Sequence, residues 1–218
     1  MRSKRINYPR ALLLAFAIGW LCVGFSDILG LSEAIIERAT SRYGPLARNR
    51  LLAWQELVEQ NQQASEREKL EQVNDFFNQM RFVSDQVHWS QNDYWATPIE
   101  FLNTNGGDCE DFSIAKYFTL RALGVAENKL QITYVNALEL GQAHMVVTYF
   151  SSPSAEPLVL DNINYLIKPA SQRPDLLPVY SFNGAGLWLA KERGRGKRVG
   201  SSAQLKSWQD MLKRMDRQ

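Results

Sequence analysis

At Gly124 the chain changes its hydrophobic rhythm. Before it, apolar residues recur with a helical period; after it, they fall into short runs bounded by turn formers. In "LARNRLLAWQELVEQNQQ" the apolar positions are 46, 47, 51, 52, 54, 57 and 58, one face of a helix. Ser65 with Glu68 forms a capping box that opens a second helix, and Leu70, Val73, Phe76, Phe77 and Met80 make its apolar stripe. "VHWSQNDYWA" (87–96) has no period and reads as a loop. Thr97-Pro98-Ile99-Glu100 is a second capping box, with proline where a helix tolerates it. That short helix ends at Asn105-Gly106-Gly107. Asp108 then reads as the N-cap of a helix running to Leu123, stopped by Gly124. Phe112, Ile114, Ala115, Phe118, Leu120, Ala122 and Leu123 leave it few polar positions, which makes it the central helix of the domain.

Beyond Gly124, "LQITYVNAL", "HMVVTYF", "PLVLDN", "LPVYSF" and "GLWLA" are short, β-branched and aromatic. They read as mostly antiparallel strands, because the connections are too short for crossover helices. The core domain is expected over 44–190. Ahead of it, 27–43 reads as a helical linker, broken by Gly44-Pro45. Behind it, 191–218 reads as a basic loop, "KERGRGKRVGSS", and a helix with Leu205, Trp208, Leu212 and Met215 on one side. From residue 191 onward nine Lys or Arg stand against three Asp or Glu, which suits either a solvated tail or contact with an acidic surface or anionic lipid. The whole chain carries only +2, so its charge gives no general argument for nucleic acid.

The first 26 residues follow another logic. "MRSKRINYPR" is basic and "ALLLAFAIGWLCVGF" (11–25) is apolar, the pattern of a secretory signal. The run is shorter than the roughly 20 residues of a membrane span. Small residues after it place the mature start after about residue 24–26, with an uncleaved anchor as the alternative. Export bears on the two cysteines, Cys22 and Cys109. If Cys22 leaves with the signal, Cys109 is a lone thiol in an oxidising compartment, and it is either buried and inert or its reactivity is used.

Its neighbourhood, "NGGDCEDFSIAKYF" (105–118), favours use. As first residue of the central helix, Cys109 sits at unpaired N–H groups and the positive end of the helix dipole, which favours thiolate. The glycines before it allow close approach. A base has two sources, His88 in the preceding loop and His144 at a strand start. Pairing His144 with Asp161 in a hairpin centres the turn between Ser152 and Pro153, inside "SSPSAEP". The two side chains then emerge side by side, and a carboxylate beside an imidazole fixes its tautomer. Cys109, His144 and Asp161 thus read as nucleophile, base and orienter.

Three stretches, "GGDCEDFSIAKYFTL", "TYVNALELGQAHMVVTYF" and "PLVLDNIN", resemble the bacterial transglutaminase-like cysteine proteinases, and within them the LapG-type periplasmic proteases. The likeness runs from about Leu46 to Leu189. It implies a papain-like α+β fold, with a catalytic helix packed on an antiparallel sheet, and the same three residues as triad. It further implies cleavage of a large surface adhesin near its N-terminus, at a small-residue site, with biofilm dispersal as the outcome. As partner it implies an inner-membrane receptor that senses cyclic di-GMP and sequesters the protease.

Asp108, Glu110 and Asp111 crowd the thiol, and their charge opposes a thiolate. A bound cation removes that conflict, and carboxylate oxygens suit Ca²⁺. Acids in a first helical turn are also favourable caps that need no metal, so the residues alone leave both readings open. The resemblance implies calcium dependence through these acids. The oxyanion hole needs the Cys109 N–H and a second donor, for which Asn92, Trp95, Asn103 and Asn105 are candidates. Two other functions fit the same residues: an acyl transferase or cell-wall peptide amidase on this scaffold, or a non-catalytic module that binds adhesin or receptor.

Overall fold

The computed structural model describes Leu29, residues 31–191 and residues 194–218. The expected signal segment, with Cys22, lies outside them. Among the described residues no helix is long and apolar enough to cross a membrane.

Seven strands form one sheet in the order β6-β5-β4-β3-β7-β8-β9. They are β3 Leu130–Ala137, β4 Gln142–Tyr149, β5 Leu158–Leu160, β6 Lys168–Pro169, β7 Leu176–Asn183, β8 Gly186–Lys191 and β9 Gly194–Gly200. Every neighbouring pair in it is antiparallel, as the short connections require. The helices come first in the chain: α1 Glu33–Tyr43, α2 Pro45–Gln60, α3 Glu66–Phe77, α4 Asp85–His88, α5 Pro98–Thr104 and α6 Cys109–Ala122. Lys206–Met215 forms α7. The result is the expected α+β architecture.

Helix α6 is the centre of the molecule. Ten of its fourteen residues are buried, and Phe112, Ile114, Ala115, Tyr117 and Leu120 share one cluster with Ile132, Val147, Leu160 and Phe182 of the sheet. Helices α2 and α3 close its other sides with Leu51, Trp54, Leu70 and Phe77. The C-terminal turn is held by Lys69, whose Nζ donates to the Leu123 carbonyl at 2.8 Å. Gly124, at φ 83°, supplies the left-handed residue that ends the helix. Both expected capping boxes are present, Ser65 with Glu68 and Thr97 with Glu100.

Three expectations are corrected. The segment read as a linker is part of the core: Leu31, Ile35 and Ala39 join the main cluster, because the apolar face of α1 needs burial as any helical stripe does. The basic stretch read as a loop contributes strand β9, antiparallel to β8. Pairing with a neighbouring edge satisfies its backbone and overrides the poor strand propensity of its glycines. The segment 87–96 opens with the end of α4 before turning irregular.

A second, small sheet matters more for the site than its size suggests. β1 Arg81–Phe82 pairs in parallel with β2 Gly106–Gly107. Only the absence of a side chain allows this: a Cβ on Gly106 would lie 2.4 Å from the Arg81 carbonyl oxygen. The pairing sets the residues that follow each strand, Asp85 and Asp108, beside one another.

Candidate active site

Cys109, His144 and Met145 line a cleft of about 870 Å³, together with Trp95, Tyr134 and Tyr180. Cys109 enters from the N-terminus of α6, and His144 from β4.

Val147 pairs with Leu160, a register two residues away from the expected one. Continuing it sets Asp161 against Val146 rather than His144. A shift of two keeps the same face of the strand, so the side chains still meet diagonally. His144 Nε2 and Asp161 Oδ1 are 2.7 Å apart, with both residues buried. That contact occupies Nε2 and leaves Nδ1 for exchange with another group. His88, the other histidine, does not line the cleft; it packs edge-on against Trp89.

Asp161 is fully enclosed, and burial alone would raise its pKa. The bond and charge of His144, the Ile163 N–H and the Arg173 guanidinium outweigh that and hold it well below the usual carboxylate range. Arg173 Nη2 donates to Asp161 Oδ2 at 2.7 Å and also pairs with Asp175. Sequence reasoning missed Arg173, which sits in an unremarkable turn, "SQRPD".

The other side of Cys109 is acidic. Asp85, Asp108 and Asp111 can each present a carboxylate oxygen within 4.8 Å of the others, as can Asp85, Asp93 and Glu110. Asp108 occupies the N-cap position, but its side chain makes no capping hydrogen bond. It turns into the acidic group instead. The expected competition between capping and clustering therefore goes to clustering. Asp111 Oδ1 accepts from the Ala96 N–H at 2.6 Å, and Asp85 accepts from the Tyr94 N–H. Three buried carboxylate oxygens of this group have no hydrogen-bond partner among the described residues: Asp85 Oδ1, Asp108 Oδ1 and Asp111 Oδ2. Gly107 leaves room for the last, since a Cβ there would lie 2.0 Å from Asp111 Oδ2.

Orphaned, converging carboxylate oxygens are the donor set of a hard divalent cation. Without one, burial and mutual repulsion raise the pKa of Asp108, Glu110 and Asp111. Asp85 is pushed up to about 6, chiefly by burial, with the charges of Asp108 and Asp93 adding. Asp85 and Asp93 were not foreseen as members. They lie far upstream of the cysteine segment, and nothing local marks the two-residue strand pairing that brings Asp85 in.

The thiol feels this charge. Its Sγ donates to Glu110 Oε2 at 3.0 Å. Burial, then Glu110 and Asp108, push its pKa far above the ordinary thiol value, with only the Met145 N–H pulling the other way. Burial, with the carboxylates adding, thus disfavours the thiolate despite the place of Cys109 at the helix N-terminus. Of the four oxyanion candidates, Trp95 lines the cleft, with its indole N–H committed to Asp93 Oδ1 at 2.9 Å. Asn92, Asn103 and Asn105 do not line it.

The family model for bacterial transglutaminase-like cysteine proteinases matches residues 52–188. LapG of Legionella pneumophila, EGTA-treated, is 46% identical over 84% of this chain and 96% of its own, with a TM-score of 0.74. The calcium-bound form of that protein is 45% identical over 85% of this chain and 99% of its own, with a TM-score of 0.73. No curated protein matches the chain.

Proposed function

The chain belongs to the bacterial transglutaminase-like cysteine proteinases, and from that premise we propose that it is a calcium-dependent endopeptidase working through Cys109, His144 and Asp161. The observation that carries the reading is the shared cleft of Cys109 and His144, with His144 bound through Nε2 to a buried, ionised Asp161. In the proposed reaction, His144 Nδ1 takes the thiol proton as sulfur attacks the scissile carbonyl carbon. The tetrahedral oxyanion collapses, the C–N bond breaks, and the leaving amine takes the proton from His144. A thioester remains. Water, deprotonated by His144, attacks it and releases the carboxylate and Cys109. Asp161 keeps the ring oriented and supports its charge throughout.

Asp85, Asp108, Glu110 and Asp111 are the residues to hold calcium, with Asp93 at the rim. The bound ion supplies positive charge that offsets the carboxylates around the thiol. The likeness to LapG, described in calcium-bound form, supports this assignment. The rest of the reading rests on the basic and apolar first 26 residues and on the resemblance carried by the cysteine, histidine and aspartate segments. The protein acts in the periplasm, cleaves the N-terminal region of a large surface adhesin, and so releases the adhesin and promotes biofilm dispersal. An inner-membrane receptor for cyclic di-GMP holds it in check. The deciding experiment incubates an adhesin N-terminal fragment with wild type and Cys109→Ala, with and without EGTA. Cleavage by wild type alone, lost on chelation, is expected. Cleavage by the alanine variant removes the cysteine-protease reading, and cleavage in EGTA removes the calcium dependence.

A further inference from the structure

Lys116 lies two turns below Cys109 on α6 and is 1% exposed. A buried lysine with no carboxylate on its nitrogen is costly, and its surroundings say what it is for. Nζ donates to Asn74 Oδ1 at 2.9 Å, Asn78 Oδ1 at 2.7 Å and the Asp161 carbonyl oxygen at 2.9 Å. Burial pulls the Lys116 pKa down to about 7, and the three acceptors, which need the three N–H donors of the ammonium, favour the charged form against it. Asn74 lies in α3 and Asn78 caps its C-terminus, and both also reach the Asp161 loop: Asn78 Nδ2 donates to the Asp161 carbonyl at 2.9 Å, and Asn74 Nδ2 to the Tyr165 carbonyl at 2.8 Å. The loop that carries Asp161 is therefore fastened to the helix that carries Cys109 through one nitrogen.

We infer that Lys116 is a positioning residue for the reaction: it locks the backbone of Asp161 to the cysteine helix, and so sets where His144 stands relative to the thiol. Arg173 holds the carboxylate of Asp161 from the other side. The inference rests on the proposed triad, in which Asp161 acts on His144 and His144 on Cys109. Neither Lys116 nor its two asparagines lines the cleft, so none of them touches substrate. Loss of Lys116 should therefore lower kcat and leave KM unchanged. Misplacement of about 1 Å costs on the order of 10²-fold.

The test uses Lys116→Met, an apolar side chain of similar length, in three measurements. Turnover per folded molecule should fall by about 10²-fold at unchanged KM. In the Asp161→Asn background the same change should cost less than about 3-fold, because both act through one group. The Nε2–H resonance of His144 in ¹⁵N-histidine-labelled protein should shift or broaden, while that of His88 stays. This last readout is independent of proteolysis, so a moved His144 signal in a protein that cleaves nothing would sink the protease reading and leave the positioning role standing. Stability is separated by a further variant, Lys116→Met with Asn74→Leu and Asn78→Leu, which removes the stranded acceptors as well as the donor. That protein should regain thermal stability without regaining kcat. Recovery of both, or a Lys116→Met protein with wild-type kcat and an unmoved His144 signal, would make Lys116 a structural residue and overturn the inference.

Discussion

The two flanks of the Cys109 thiol handle buried charge in opposite ways. On the histidine flank the charged groups face partners of opposite charge or polarity. Asp161 meets His144, Arg173 and the Ile163 N–H, and the Lys116 ammonium meets three oxygens. On the acidic flank Asp85, Asp108, Glu110 and Asp111 converge, and among the described residues none of them pairs with Lys or Arg. The pKa directions follow for the carboxylates: Asp161 is held down, while the four acids opposite are raised; burial meanwhile lowers Lys116 to about 7. Folding alone completes the first flank. The second is completed only by an added positive charge. The difference separates a frame that folding alone sets, the one the proposed triad uses, from a site whose readiness depends on solution conditions.

The largest expected effects break the histidine flank. Cys109→Ala and His144→Ala should each lower kcat by about 10⁴- to 10⁶-fold with the fold intact, since a triad acts as a unit. Asp161→Asn should cost roughly 10³- to 10⁴-fold, through a misplaced tautomer. His88→Ala should leave kcat within about 2-fold of wild type, because His88 does not line the cleft. Steady-state kinetics on an adhesin fragment would read all four. An inactive His88 variant beside an active His144 variant would remove the triad.

Chelation is the next effect in size and acts on the other flank alone. EGTA should abolish turnover, and Ca²⁺ should restore it far better than Mg²⁺, which demands a tighter octahedral shell. Saturating Ca²⁺, at about 100 times its Kd, stabilises a native-only binder by about 2.7 kcal/mol, roughly a 5–10 °C rise in Tm here. Asp85→Asn should reverse part of the comparison. It removes one repelling charge, so the chelated protein should melt higher, while the response to Ca²⁺ weakens. If Asp85→Asn responded to Ca²⁺ as wild type does, Asp85 would lie outside the ligand set.

The contrast also sorts what could be read from the chain. Residues whose role is local were legible. The capping boxes, the wrapped helix behind Cys109 and the strand segments all follow from short-range pattern. His144 and Asp161 came together despite a register two residues off, because an even error leaves side chains on the same face. What stayed hidden depends on tertiary pairing without periodic signal. Asp85 joins the acidic flank through two parallel strands of two residues each. Arg173 and Lys116 read as ordinary loop and helix cations until the sheet and α3 enclose them. Strand β9 hides in a glycine- and arginine-rich run that reads as loop.

The smallest effect, and the most direct measure of the contrast, is the pH dependence of stability in chelator. A carboxylate whose folded pKa is raised binds protons more tightly folded than unfolded. Its contribution is complete below the unfolded value and is lost as pH rises through the folded one. For Asp85 that window runs from about 4 to the value of about 6 imposed by burial and by Asp108 and Asp93, and the raised Asp108, Glu110 and Asp111 extend it upward. Asp161 has the opposite sign. Its folded pKa is depressed, so its contribution is present above about 4 and is lost only in stronger acid. Between pH 5 and 7, therefore, the acidic flank changes and Asp161 does not; above about 7 Lys116, whose ammonium burial disfavours, acts with the opposite sign. The EGTA-treated protein should lose stability over that range, on the order of 1 kcal/mol per pH unit. Ca²⁺ should flatten or invert the slope, because it binds the ionised form. Asp85→Asn should flatten it without any metal. Urea unfolding midpoints at four pH values, with and without EGTA, measure the slope. A chelated protein equally stable at pH 5 and pH 7 would mean that the four carboxylates are relieved by something other than a cation, and the difference between the two flanks would disappear.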